Sequence, residues 1–246
     1  MDKATKKRSI TYNAAEYSAT KGAHAFRECV EKYTIFTLVE DPKNLSVVDM
    51  GCGDGIYART LADLGASHVI GIDCAGDFIK LAEEKSKHYG SKIEYRKAFI
   101  QDCSGSGDCD LVMGSYILNY AKSMDEATEY CKAIASFLKP GGRFIGFNNN
   151  PFEVFRGERY AKYGFIKIMN GNTEGEEVVY KVDGMTNPII NYYLNPKTHE
   201  KAFQESGLEL EWQRVLLDPS DCADPYWDYF FDGEPPFIAM FAQKIG

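Results

Sequence analysis

No window of this 246-residue chain approaches the run of about 18 apolar residues that a membrane span requires, so a membrane partner is not expected. The N-terminus has no apolar core of a secretory signal, which points to a cytoplasmic protein. Histidine is scarce, with four scattered residues, and the seven cysteines are odd in number and lack CxxC spacing. A disulfide framework and a metal site are therefore not expected, and the thiols fit a reducing compartment. Basic stripes are also missing. The net charge is −8, and the one basic cluster, Lys3, Lys6, Lys7 and Arg8, lies on a terminal tail. That balance argues against a nucleic-acid backbone as partner.

Apolar residues make up 44% of the chain, enough for a substantial core, and the 16 Tyr and 15 Phe suggest an aromatic-lined pocket. From Tyr12 to Val39 the spacing of Phe26, Val30, Tyr33 and Phe36 predicts one or two helices. Strand-like SVVDM (Ser46–Met50) and HVIGID (His68–Asp73) then alternate with amphipathic IYARTLADLG and GDFIKLAEEKSKHYG, closed by Gly65 and Gly90. KIEYRKA, CDLVMGS and RFIGFN read as three further strands, with DEATEYCKAIASFL as a helix and KPGG as a turn before the last. This alternation builds a doubly wound, mostly parallel α/β sheet.

After Asn150 the character changes. GFIKIM, EEVVYKV and PIINYYL predict an antiparallel flap. PKTHEKAFQESG predicts a helix, and LELEWQRVLL and PPFIAMFAQK a closing antiparallel pair. The expected organisation is a helical cap (1–44), a nucleotide-binding core (45–150), a substrate flap (151–195) and a closing segment (196–246) that completes seven strands.

The stretch VVDMGCGDG (Val47–Gly55) ends the first strand in glycines that let a ligand approach the backbone. Asp49 sits where a dinucleotide site would hold pyrophosphate, which a carboxylate repels and an ammonium welcomes. Asp73 ends the second strand, at the spacing where an acid holds ribose hydroxyls. Together they indicate an adenosine ligand with a cationic, phosphate-free tail. S-adenosyl-L-methionine has that charge distribution and NAD does not.

VVDMGCGDG, VIGIDCA, DLVMGSYILNYA and LKPGGRFIGF resemble, in order and spacing, the successive motifs of class I S-adenosylmethionine-dependent methyltransferases, over about Leu45 to Phe147. NYAKS (Asn119–Ser123), RYAKYG (Arg159–Gly164) and SGLELEWQRVLL (Ser206–Leu217) are further similar to segments of toxoflavin-type N-methyltransferases. The resemblance implies that Gly51, Cys52 and Gly53 line the methionine end with Asp49 nearby, and that Asp73 holds the ribose. It implies that Cys74 and Phe78 flank the adenine and that Tyr12 or Tyr17 covers the cofactor. Where many family members carry an Asp for the adenine amino group, this chain has Phe99, so backbone at Phe99 and Ile100, or Asp102, would replace it.

Ser115, Tyr116, Asn119 and Tyr120 follow the fourth strand, where the open end of such a sheet places its crevice. Ser115 is expected beside the cofactor, and Tyr116, Asn119 and Tyr120 at the reacting methyl. Phe152, Arg156, Tyr160, Tyr163 and Tyr192 are expected to form the acceptor wall, and His199 to lie on the surface. NNNPF (Asn148–Phe152) mimics the signature of base and amide methyltransferases but follows the fifth strand rather than the fourth. The expected activity is metal-independent methyl transfer to a small planar acceptor, leaving S-adenosyl-L-homocysteine. Nitrogen is preferred because no base stands out, and the protein is expected to work as a monomer or homodimer. The alternatives are O-methylation of a small metabolite, an NAD(P)-dependent oxidoreductase, and a non-catalytic S-adenosylmethionine binder.

Overall fold

The computed structural model describes residues 13–153, 157–169, 172–221 and 225–246. The chain enters through α1 (Ala14–Ala23), a π-helical turn (Arg27–Lys32) and α2 (Tyr33–Val39). Asn13 caps α1 by accepting the Ala15 and Glu16 amides. Then follow β1 (Ser46–Met50), α3 (Ile56–Asp63), β2 (His68–Asp73), α4 (Gly76–Lys85), β3 (Ile93–Lys97) and β4 (Cys109–Ser115). The core continues with α5 (Met124–Phe137) and β5 (Leu138–Asn149). The flap is β6 (Phe165–Ile168), β7 (Glu177–Val182) and β8 (Ile189–Tyr192). The chain closes with α6 (Pro196–Glu205), β9 (Leu208–Arg214), α7 (Asp228–Phe231) and β10 (Phe237–Lys244).

Seven strands form one sheet in the order β3-β2-β1-β4-β5-β10-β9, parallel except where β10 runs against β5 and β9. The flap is a separate antiparallel sheet, β6-β7-β8. The expected architecture is the observed one, with small differences at element ends. Strand β5 starts at Leu138 and so absorbs KPGG, with a register shift opposite Cys109 and Leu111. Helix α4 stops at Lys85, and a 3-10 turn carries the chain on past Gly90.

Both faces of the large sheet are covered, which is why Val47, Val48 and Met50 of β1 are all fully buried. Each such side chain contributes roughly 1.5–3 kcal/mol. Strand β1 lies centrally, and the chain winds outward through β2 on one side and β4 on the other. The crevice of an open sheet opens at that reversal, above the strands' carboxyl ends.

Two glycines keep it open. Gly51 leaves β1 with φ +70°, and a Cβ there would lie 2.5 Å from Ile117 Cγ2. Ile117 likewise fills the space beside Gly114, at 2.4 Å from a hypothetical Cβ. The cap helix closes the crevice from above. Asp54 accepts hydrogen bonds from Ser18 and Lys85, both at 2.7 Å, tying α1 to the core. Glu16 accepts from the Thr186 amide and hydroxyl at 3.1 and 2.9 Å, tying α1 to the flap.

Candidate active site

Two adjoining cavities open at the crevice, of about 150 and 40 Å³. They share one wall: Tyr17 from α1 and Tyr116 and Tyr120 after β4 border both.

The first chamber is built by the βα loops. Asp49, Gly51, Cys52 and Gly53 line it from the β1 exit, with Asp73, Cys74 and Phe78 from the β2 exit. Phe99, Ile100 and Ser115 add the β3 and β4 exits. Every residue expected at the cofactor therefore borders one cavity, except Tyr12, which lies outside the described residues. The carboxylate of Asp73 is held by the Gly53 amide at 3.0 Å and the Ala75 amide at 2.8 Å. Burial pushes its pKa up, and those amides oppose the rise. Asp102 is not among the lining residues.

Asp49 is buried, and its Oδ2 has no hydrogen-bond partner among the described residues. Burial lifts its pKa to about 7, against the pull of Lys21. Lys21, on α1, borders the same cavity 3.7 Å from Asp54 Oδ1. Burial would also lift Asp54, but Lys21, Lys85 and Ser18 outweigh it and hold its pKa at about 2.

These residues fit S-adenosylmethionine. A buried carboxylate with one oxygen left without a partner among the described residues, beside a lysine, matches the ammonium and carboxylate of an amino-acid tail. Asp73 offers acceptors for hydroxyls, and Phe78 and Ile100 offer apolar faces for a base. Among the described residues no cluster of His, Cys, Asp and Glu could hold a metal ion.

Among the lining residues that sequence reasoning missed are Lys21, Glu31 and Tyr57, and Glu126, Glu129 and Tyr130 at the start of α5. Glu31 is 1% exposed, and its carboxylate takes three donors. Arg27 Nη1 reaches Oε2 at 3.0 Å, Tyr116 Oη reaches Oε2 at 2.8 Å, and Tyr57 Oη reaches Oε1 at 2.7 Å. Burial works against the Arg27 charge, but Tyr17 and Glu31 outweigh it and keep the guanidinium protonated. Tyr116 has a left-handed backbone, φ +63°, a strained conformation for a bulky residue and one that concentrates at functional sites.

The second chamber is aromatic. Phe26 and Arg27 from the π-helical turn face Phe165, Tyr180, Val182, Ile189 and Asn191 of the flap, with Asn149 and Phe237 from the sheet. The flap does form a wall, but not with the expected residues. Tyr160 is 1% exposed and stacks on Phe165 at 5.3 Å, away from either cavity. Tyr163 is buried against Tyr226, Trp227 and Phe230. Phe152 is 41% exposed and packs on Trp212, and the Tyr192 ring faces Lys122. Arg156 lies outside the described residues. The segment around Tyr226 and Trp227 is thus a packed loop.

Two further expectations are corrected. Asn119 borders neither cavity: it is buried, and its Oδ1 accepts the Asn149 amide at 3.2 Å, so it braces the second chamber from behind. His199 is not at the surface. It is 8% exposed against Trp212, and burial lowers its pKa to about 4.

Sheet order, glycine turn and paired acids together define a class I S-adenosylmethionine-dependent methyltransferase domain. Residues 47–142 match the family model described as a methyltransferase domain. The chain is 33% identical over 174 residues to a ubiquinone biosynthesis O-methyltransferase of Bordetella avium, covering 69% of this chain and 64% of that protein. It is 33% identical over 107 residues to the enzyme of that name from Xanthomonas axonopodis pv. citri, 43% of each. The matches thus span less than two thirds of these relatives' length. A solved S-adenosylmethionine-dependent methyltransferase from Mesorhizobium loti superposes with a TM-score of 0.65 at 19% identity, over 87% of this chain and 97% of that one. An S-adenosylmethionine-bound amino pentose methyltransferase from Micromonospora echinaspora gives a TM-score of 0.63 at 14% identity, over 96% and 99%. The finer likeness to toxoflavin-type enzymes finds no counterpart among these four.

Proposed function

We propose that the protein methylates an oxygen of a small planar acceptor, with the cofactor in the first chamber and the acceptor in the second. The observation that carries this reading is the shared tyrosine wall: Tyr17, Tyr116 and Tyr120 border both cavities, so ligands in the two would meet there. When bound, S-adenosylmethionine supplies an electrophilic methyl group open to in-line displacement. The chain's own work is alignment and exclusion of water, which can account for much of the acceleration. Tyr17 and α1 cover the crevice, and Phe26, Phe165 and Phe237 present flat apolar faces to a ring.

Oxygen replaces the nitrogen expected from sequence for two reasons. The relatives at 33% identity are named as O-methyltransferases. A hydroxyl acceptor also needs somewhere to send its proton, and Tyr116, hydrogen-bonded to the Glu31 carboxylate, offers a path. In that path the acceptor's proton passes to Tyr116 Oη as Tyr116 gives its own to Glu31, while the C–S bond breaks and the C–O bond forms.

A labelled-methyl assay over phenols, catechols and nitrogen heterocycles tests this reading. Label is expected on oxygen. Label confined to nitrogen would overturn the choice of atom, and cofactor binding with no transfer to any acceptor would leave only a binding protein. Binding of NADH with no response to S-adenosylhomocysteine would favour an oxidoreductase.

A further inference from the structure

The wall between the chambers contains a buried ion pair whose two charges face different ligands. Glu31 borders the first chamber and Arg27 the second. Both stand on the Arg27–Lys32 turn, whose π-helical winding is rare and is found mostly at functional sites. Both oxygens of Glu31 are satisfied by its three donors. Arg27 is not.

Arg27 is 5% exposed, and its Nε has no hydrogen-bond partner among the described residues. Its guanidinium lies over the rings of Tyr17 and Phe26, each at 5.3 Å, and of Tyr116 at 5.5 Å. Two flap residues of the same chamber repeat the pattern. Asn191 Nδ2 and Tyr180 Oη are also buried without a hydrogen-bond partner among the described residues. Each of the three atoms can donate a hydrogen bond, and among the described residues no carboxylate borders this chamber. Buried donors without acceptors are costly, and a cation most of all.

Resting on the methyl-transfer reading above, we propose that the second chamber takes an aromatic ring bearing an anionic oxygen, and that Arg27 selects for that charge. The oxygen is either a ring carboxylate, with the acceptor hydroxyl sending its proton through Tyr116, or the acceptor phenolate itself, which enters ionised and needs no such route. In both cases it completes the hydrogen bonding that Glu31 leaves unmet on Arg27. Glu31, Tyr17, Tyr57 and Tyr116 are the titratable groups facing the guanidinium.

The test is calorimetric and reads binding rather than turnover. Saturable binding of S-adenosylhomocysteine is measured first, in wild type and in Arg27→Gln. 3,4-Dihydroxybenzoate and its methyl ester are then titrated into the loaded proteins, at pH values below and above ionisation of the ester's phenol. Wild type is expected to bind the acid about tenfold or more tighter than the ester if the carboxylate is recognised, the size of one charge-assisted hydrogen bond. If the phenolate is recognised, the ester should tighten by a similar factor as pH rises through its ionisation. In Arg27→Gln either preference should fall to within about twofold.

Arg27→Gln strands the Glu31 charge, so Arg27→Met with Glu31→Gln serves as the variant in which neither charge is left alone. The assignment is overturned if neither compound binds, if wild type shows neither preference, or if both variants keep it. Failure of wild type to bind S-adenosylhomocysteine would instead sink the methyltransferase reading.

Discussion

The two chambers share a wall but differ in how they are made. The first is built mainly from the turns that end consecutive strands, with Tyr17 and Lys21 of α1 and Glu31 of the π-helical turn completing it, so its ligand groups are backbone amides, a lysine and three buried carboxylates. The second draws on the cap helix, the π-helical turn, the end of β5, the flap and the start of β10, and most of its surface is aromatic side chain. One suits a ligand with fixed polar groups, the other a flat ring with a few polar handles. The flap borders only the second chamber, so it can vary without disturbing the sheet, and the acceptor can change while the cofactor stays the same.

The largest expected break in this comparison is Asp73→Ala. It removes the acceptor of the Gly53 and Ala75 amides and the hydroxyl ligand, so S-adenosylhomocysteine affinity should fall by more than about tenfold. Unchanged affinity in a titration would show that the first chamber is not the adenosine site.

Asp49→Asn should weaken the same ligand by about tenfold while stabilising the free protein. The folded-state pKa of about 7 stands above the ordinary 3.8, so the Asp49 contribution to stability is fully present below the ordinary value and lost as pH rises through 7. The variant should therefore melt higher than wild type at pH 8, by about 2–4 °C for each kcal/mol regained. A lower melting temperature there would mean that the carboxylate is paired rather than stranded. In wild type, binding near pH 7 should also release a proton, seen as a heat that depends on the buffer.

The mildest change isolates the second chamber. Tyr180→Phe removes a buried hydroxyl that has no hydrogen-bond partner among the described residues, so melting should stay within a degree or two. Acceptor KM should rise by about threefold, with cofactor affinity as in wild type. A shift in cofactor affinity would show that the chambers are not separable.

The first chamber was legible because its residues lie next to strand ends that announce themselves by composition: VVDMG fixes Asp49 and Gly51, and HVIGID fixes Asp73. Glu31 and Arg27 were not, because on an amphipathic stretch an i, i+4 pair of opposite charges reads as an ordinary exposed helix face. Only their burial distinguishes them, and it comes from the rings of Tyr17, Phe26, Tyr57 and Tyr116, which three different parts of the chain bring around the π-helical turn. The acceptor wall went wrong for a related reason. Tyr160 and Tyr163 are aromatic and lie in the flap segment, but residues this large supply the core between the two sheets, and β6 turns Phe165 to the cavity instead. His199 was misplaced because a polar residue on a terminal helix is usually solvated, whereas here Trp212 covers it.

Ile117 fills the space that side chains at both Gly51 and Gly114 would need. The order in which these positions can change is therefore constrained. A larger residue at either glycine requires Ile117 to move or to become smaller, and shrinking Ile117 first leaves a void beside the cofactor turn. One isoleucine thus makes two distant glycines a single mutational unit, in which a one-step change at any member begins with a loss.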